Sequence, residues 1–164
     1  MSIDETEFRN VMGNFATGCT VVTFPDTPPH GMTANAFSSV SLDPPLCLVC
    51  VDHDTTSYEL LSNGEMESFA VNILERSQQD LAEYFANMTE LDEDPFEDRP
   101  TTSGVEGAPV FTDSLAYADC TLHAAHPAGD HTIYVGYAED AEILDEDGDP
   151  LTFFRGGWGT TTSE

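Results

Sequence analysis

A mainly β fold with peripheral helices is the class this sequence predicts: a barrel or sandwich of six or seven short, mostly antiparallel strands. Three observations predict it. Runs rich in β-branched and aromatic residues, such as Cys19-Thr20-Val21-Val22-Thr23-Phe24, alternate with clusters of Pro, Gly and Asp. The turns between these runs are short, which favours antiparallel neighbours. The chain has 164 residues, 40% of them hydrophobic, so it can bury one sizeable core. No repeat, linker or shift of composition divides it, and residues 1–164 read as a single domain.

The elements follow in order. Ser2 to Phe15 reads as a helix, with a capping-box pattern at Ser2 and Glu5. Ile3, Phe8, Val11, Met12 and Phe15 mark one face at helical spacing, and Gly18 is a plausible stop. Cys19–Phe24 is a strand, and Pro25 to Gly31, with three prolines, is a loop. Thr33 to Ser41 holds a second strand. Leu46–Val51, an unbroken apolar run, reads as a fully buried third. A short helix is expected near Ser57–Asn63, with Gly64 in the stop position. Phe69–Leu74 is a strand and Ser77–Phe85 a helix capped by Ser77, with Leu81, Ala82 and Phe85 on one face. Glu90–Pro100 is an acidic loop. Strand-like runs follow at Leu115–His126, His131–Leu144 and Leu151–Phe154, with turns at Pro127–Asp130 and Asp145–Pro150 and a frayed C-terminal tail.

Charge narrows the function. The chain carries 31 acidic residues against four arginines and no lysine, a net charge of −27. Without lysine there is no Schiff-base chemistry and no phosphate loop ending in Gly-Lys-Ser/Thr. Scattered arginines cannot hold a nucleic-acid backbone, and an anionic membrane surface repels the chain. In ordinary buffer such self-repulsion opposes compaction. At about 1 M salt the Debye length is roughly 3 Å and the repulsion is screened. The charge thus points to a protein of a salt-accumulating halophile. The N-terminus lacks the basic and apolar regions of a signal peptide, and Leu46–Val51 is far short of the ~20 residues of a spanning helix. The expected location is the cytoplasm, with Cys19, Cys47, Cys50 and Cys120 as reduced thiols.

Several motifs fail on spacing. Asp145-Glu146-Asp147-Gly148-Asp149 alternates carboxylates like a calcium loop, but the loop's sixth position is Pro150 and its twelfth Gly156, so it reads as a solvated turn and no metal site is expected. Cys47 and Cys50 are three apart in a strand and point to opposite faces, which suits core thiols better than a redox pair. His123 and His126 have the same poor geometry for a metal. No Gly-x-Ser-x-Gly elbow or Gly-x-Gly-x-x-Gly loop occurs.

The informative stretch is His30-Gly31-Met32-Thr33-Ala34-Asn35-Ala36-Phe37-Ser38-Ser39-Val40-Ser41-Leu42-Asp43-Pro44-Pro45-Leu46. Small and hydroxyl residues stand where bulky ones would normally pack. They suit either a Ser/Thr-rich edge strand or close backbone approach to a flat ligand with neutral hydrogen-bonding groups around it.

From Gly31 onward this stretch resembles the signature of the flavin reductase-like family, the FMN-binding split-barrel proteins. The resemblance extends to Phe8-Arg9, to Gly18–Thr23, to Phe69–Leu74 and Leu81–Phe85, and to Gly129-Asp130-His131-Thr132-Ile133-Tyr134-Val135-Gly136 and Pro150–Gly157, in order along nearly the whole chain. It implies a six-stranded antiparallel split barrel and a homodimer with FMN at or near the subunit interface. It implies NADH or NADPH as the reductant, with FAD or riboflavin as alternative flavins. Reduced flavin would pass to a partner monooxygenase. Related members reduce ferric chelates or simply carry electrons; a non-enzymatic flavin-binding protein is a further alternative, against which the retained Gly129-Asp130-His131 argues. By position, Thr33, Ala34 and Asn35 should line the isoalloxazine ring, with Ser38, Ser39, Val40 and Ser41 near the ring and ribityl chain. Thr55, Thr56 and Ser57 should hold the phosphate, although Thr56 or Ser57 serves equally as a helix N-cap. Arg155 is the nearest candidate cation, and Phe154 and Trp158 either stack near the ring or pack in the core. His131 should position the nicotinamide or meet the flavin edge. Asp52 and Asp54 depart from what a phosphate site favours.

Overall fold

The computed structural model describes residues 2–163. In chain order the elements are α1 (Glu5–Met12), β1 (Thr17–Gly18), β2 (Thr20–Phe24), β3 (His30–Ala34), β4 (Phe37–Leu42), β5 (Pro45–Asp52), α2 (Thr56–Ser62), β6 (Ser68–Ile73), α3 (Gln79–Phe85), α4 (Pro95–Asp98), β7 (Thr101–Ser103), β8 (Pro109–Phe111), β9 (Ala116–Ala128), β10 (His131–Ile143), β11 (Thr152–Phe154) and β12 (Gly157–Gly159). No helix among the described residues is long and apolar enough to cross a membrane.

The main sheet has seven strands in the order β3-β2-β6-β9-β10-β5-β4. Every neighbouring pair is antiparallel. Its two edges, β3 and β4, are consecutive in sequence and joined only by Asn35 and Ala36. In a flat sheet those edges would stand roughly 29 Å apart, at ~4.8 Å per strand. The connection spans at most about 11 Å. The sheet therefore curls until its edges approach. The strand expected over Thr33–Ser41 is thus two strands, and the main sheet has seven strands where the family resemblance implied a six-stranded barrel. The break has a cause in hydrogen bonding. The Phe37 N–H turns back to the Asn35 carbonyl (3.0 Å), while the Ala36 carbonyl accepts from the Cys50 N–H of β5 (3.0 Å).

β2 is buried on both faces. Val22 and Phe24 point into the curl with Val49, Val51, Phe69, Val71 and Tyr134. Cys19 and Val21 point outward beneath Leu81 and Ala82 of α3, with Leu74, Phe111 and Leu151. β5 corrects the expectation of a fully buried run. Cys47, Val49 and Val51 are buried, but Leu46, Leu48 and Cys50 are only half-buried. Cys47 faces Cys120 of β9 across the interior, Sγ to Sγ 3.7 Å, and all four cysteines are free thiols.

Helix starts moved where a better cap was available. α1 begins after Asp4, whose carboxylate accepts from the Glu7 N–H (2.8 Å), not at Ser2. It ends at Met12, with Gly13 as its C-cap. The turn before α3, Arg76–Gln78, is capped by Glu75 with Gln78 in a reciprocal box, so Ser77 is not the cap. The loop expected over Glu90–Pro100 contains α4, started by Asp94 with Pro95 in the first turn. The hairpin β7–β8 and the short β12 carried no sequence signal strong enough to read. Conversely, the β9–β10 turn is tighter than expected: only Gly129, at φ 66°, and Asp130 lie between the strands.

Asp119 of β9 is fully buried, and its Oδ1 has no hydrogen-bond partner among the described residues. Its Oδ2 accepts from the Glu106 N–H (3.2 Å) and so holds the β7–β8 loop against the sheet. Burial first, then the nearby Asp140 and Glu139 carboxylates, push its pKa up against the opposing backbone hydrogen bonds. A raised acid pKa means the ionised form costs the fold stability above the unfolded pKa. Asp119→Asn should therefore raise the melting temperature at pH 7, and the gain should vanish below about pH 4 as the wild-type carboxyl becomes protonated. Thermal denaturation at both pH values tests this; a loss at pH 7 would contradict it.

Candidate functional site

A cleft of about 1000 Å³ opens where β3 begins. One wall is Pro28 to Met32 and another is Asp54 to Ser57. The third comes from the end of α3 and the loop beyond it, Tyr84 and Phe85 through Glu90, with Asp94 and Phe96. Glycine at position 31 makes the β3 wall possible. A Cβ there would lie 2.6 Å from Cε1 of Phe85. That ring is fixed between Tyr84, Phe96 and Phe111, with centroids 4.9, 5.3 and 6.0 Å away.

The segment between β5 and α2 is tied to the start of β10. Asp52 pairs with His131 in register. The His53 N–H donates to the Asp130 carbonyl (3.0 Å), and His53 Nε2 lies 2.9 Å from Thr132 Oγ1. This brings His131 to the same end of the sheet as Thr55, Thr56 and Ser57. The His131 ring is oriented by Asp130, Nδ1 to Oδ1 2.7 Å. That hydrogen bond is the main reason the Asp130 pKa is lowered.

Each hydroxyl of the Thr55–Ser57 trio has a separate part. Thr55, not Thr56 or Ser57, is the N-cap of α2: its Oγ1 accepts from the Tyr58 N–H (3.1 Å) and donates to the Asp52 carbonyl (2.7 Å). Thr56 is exposed. Ser57 is buried, and its Oγ lies 2.8 Å from His30 Nε2.

β3 leads from this cleft to a second hollow of about 220 Å³, lined by Phe15 to Thr20, Asn35, Phe37 and Ile73. Thr17 Oγ1 is buried there without a hydrogen-bond partner among the described residues. Between the two hollows, Thr33 donates its hydroxyl to the Ala82 carbonyl (2.6 Å), and Ala34 is buried. Phe154 and Arg155 lie beside the second hollow: β11 pairs with Thr17 and Gly18, and Arg155 Nε donates to Asn14 Oδ1 (2.8 Å) while stacking over Phe154. Trp158 packs on Phe153 at 5.0 Å. Ser38, Ser39 and Val40 are exposed on the open edge strand β4, with Ser41 half-buried, and line neither hollow of this chain.

Of the three walls, the hydroxyl run Thr55–Ser57 is the one the sequence marks, and the wall from α3 and the loop beyond it carries no sequence signal. Phe85 was read as a helix core face, and nothing in Asn87 to Glu90 marks it as a lining. His30 immediately precedes the signature stretch, and that position is the sequence signal for it. The arginines stand apart from the cleft. Arg76 pairs with Asp149 (3.9 Å), Arg99 with Asp80 (2.5 Å) and Asp98 (3.7 Å), Arg155 binds Asn14, and Arg9 lies on α1.

Known proteins share this architecture. The chain is 42% identical over 154 residues to "FMN reductase (NADH) SmoA" of Agrobacterium fabrum, covering 93% of this chain and 83% of that protein. It is 41% identical over 135 residues to an "NADH-dependent FAD reductase" of Streptomyces globisporus, covering 81% and 73%. Among solved structures, BorF, the flavin reductase component of a bacterial two-component tryptophan halogenase, superposes with a TM-score of 0.86 at 41% identity, covering 98% of this chain and all of that one. Residues 12–162 match the flavin reductase like domain, and the chain belongs to that family.

Proposed function

We propose that the chain is an NADH-dependent FMN reductase that acts as a homodimer and supplies reduced flavin to a flavin-dependent monooxygenase. The observation that carries this reading is the cleft between β3 and the Asp54–Ser57 segment, in a chain of the flavin reductase family. The residues present fit a flavin. Thr56 and Ser57 offer hydroxyl donors to a phosphate. Asn35 and the unpartnered Thr17 hydroxyl offer neutral polar groups to a ring edge. Thr33 and Ala34 contribute backbone and shape between them, since the Thr33 hydroxyl is already engaged.

When bound, the flavin accepts hydride from the nicotinamide, so the chemistry belongs to the cofactors and the protein supplies alignment. His131, oriented by Asp130, positions the nicotinamide. NADH is the reductant in this reading because the relatives of similar sequence carry it in their names, as in "FMN reductase (NADH) SmoA" and "NADH-dependent FAD reductase".

Two surfaces support the dimer. On α1 and its flanks, Ile3, Phe8, Val11, Met12 and Phe15 are 52 to 72% exposed, and on β4 Leu42 is 96% exposed. Apolar surface of this extent marks an interface, and β4 is an open sheet edge. A second copy over β4 would give Ser38 to Ser41 the opposite wall they lack. Free thiols fit a reducing cytosol, and the charge of −27 fits concentrated salt.

In molar KCl, NADH consumption should depend on added FMN and proceed at about 1 s⁻¹ or faster per chain. Consumption equal to a protein-free control would refute the proposal.

A further inference from the structure

A flavin phosphate brings negative charge into a cleft that holds Asp54, Glu90 and Asp94 and no lysine or arginine. Among the lining residues only His30 can become a cation. Its imidazole is half-buried against the Phe24 ring (5.6 Å), with Nε2 2.8 Å from the Ser57 hydroxyl.

We propose that His30 is a positioning residue that supplies the counter-charge for the flavin phosphate: it takes up one proton as FMN binds and turns the Ser57 hydroxyl toward the phosphate. This rests on the placement of the phosphate at Thr56 and Ser57. The proton comes from solvent and forms a new N–H bond on the imidazole. Neutral imidazole can accept a hydrogen bond from the Ser57 O–H, but imidazolium can only donate. Once charged, Nε2–H donates to Ser57 Oγ, which frees the serine hydrogen to donate to a phosphate oxygen.

The free protein is poised for this change. Burial holds the His30 pKa below its ordinary value of 6.5, against the opposing pull of Asp26. The other ionisable groups facing it are Asp54 before α2, Tyr84 of α3, and Glu90 and Asp94 across the cleft. The carboxylates favour the charged ring, and burial outweighs Asp26 until a further anion arrives. Binding should therefore tighten as pH falls, by up to about tenfold per pH unit between the free and bound pKa values. Riboflavin, which lacks the phosphate, should show no such slope.

The test is calorimetric titration of FMN and of riboflavin into the flavin-free protein in molar KCl near pH 7.5, in two buffers of different ionisation enthalpy. We expect FMN to bind at least tenfold more tightly than riboflavin, with uptake approaching one proton for FMN alone. His30→Gln, which keeps a hydrogen-bonding side chain, should abolish the uptake while leaving riboflavin affinity within about threefold. Ser57→Ala should weaken FMN without weakening riboflavin and serves if His30→Gln does not fold. Uptake that persists in His30→Gln would place the proton on the phosphate and overturn the proposal. So would no uptake in the wild type. Equal affinity for FMN and riboflavin would instead overturn the phosphate placement on which the proposal rests.

Discussion

Asn72→Leu is expected to destabilise the protein by about 3 kcal/mol. Asn72 lies in β6, fully buried. Its Nδ2 donates to the Val21 carbonyl (2.9 Å) and to Thr23 Oγ1 (3.2 Å), and its Oδ1 accepts from the Phe111 N–H (2.9 Å). One side chain thereby joins β6 to β2 within the sheet and to β8 outside it. Leucine has the same branched heavy-atom skeleton, so the hydrogen bonds are lost outright, and its bulkier methyl groups add to the cost in a packed interior. It strands a backbone donor at Phe111 and removes an acceptor's partner at Val21 in a dry interior, at roughly 1–3 kcal/mol for each group. For a chain of this size the melting temperature should fall by about 6–12 °C. Thermal denaturation in molar KCl checks this. A shift below about 2 °C would show that the Asn72 bonds are replaced by water.

His131→Ala is expected to lower NADH-dependent flavin reduction by roughly 10- to 100-fold, with FMN affinity changed by less than about threefold. The split follows from position. His131 begins β10, pairs with Asp52, and is held by the Asp130 carboxylate at 2.7 Å. It stands at the same end of the sheet as the cleft but outside its walls. On the proposed function, a residue placed there would align the incoming nicotinamide without contacting the flavin, and misalignment by about 1 Å can cost 100-fold in rate. Stopped-flow reduction and fluorescence titration of FMN measure the two quantities separately. Equal reduction rates in wild type and variant would remove His131 from the account.

Much of this was legible in the sequence because alternation and turn residues report local geometry. The strands at Cys19–Phe24 and Phe69–Leu74 and the long β9–β10 hairpin follow from β-branched runs and a Gly-Asp turn. What was not legible depends on partners distant in sequence. The break at Asn35 and Ala36 arises because β5 captures the Ala36 carbonyl. Composition alone cannot separate that from a continuous strand. The cap positions went to Asp4, Thr55 and Glu75 because several adjacent residues can cap, and only geometry chooses. The site divides the same way. Thr55 to Ser57 are recognisable from hydroxyls before a helix, whereas Phe85, Asn87 and Glu90 join the wall only through the docking of α3 on β3. His30 meets Ser57 across 27 residues of sequence, a contact no local pattern announces.

Anaerobic mixing of the protein with FMN in molar KCl, followed by NADH, tests the central claim most directly. The account predicts that the visible flavin absorbance bleaches far faster than in a protein-free control, and faster with NADH than with NADPH. A flavin that binds yet stays oxidised with both nucleotides would contradict it and identify an electron carrier reduced by another protein.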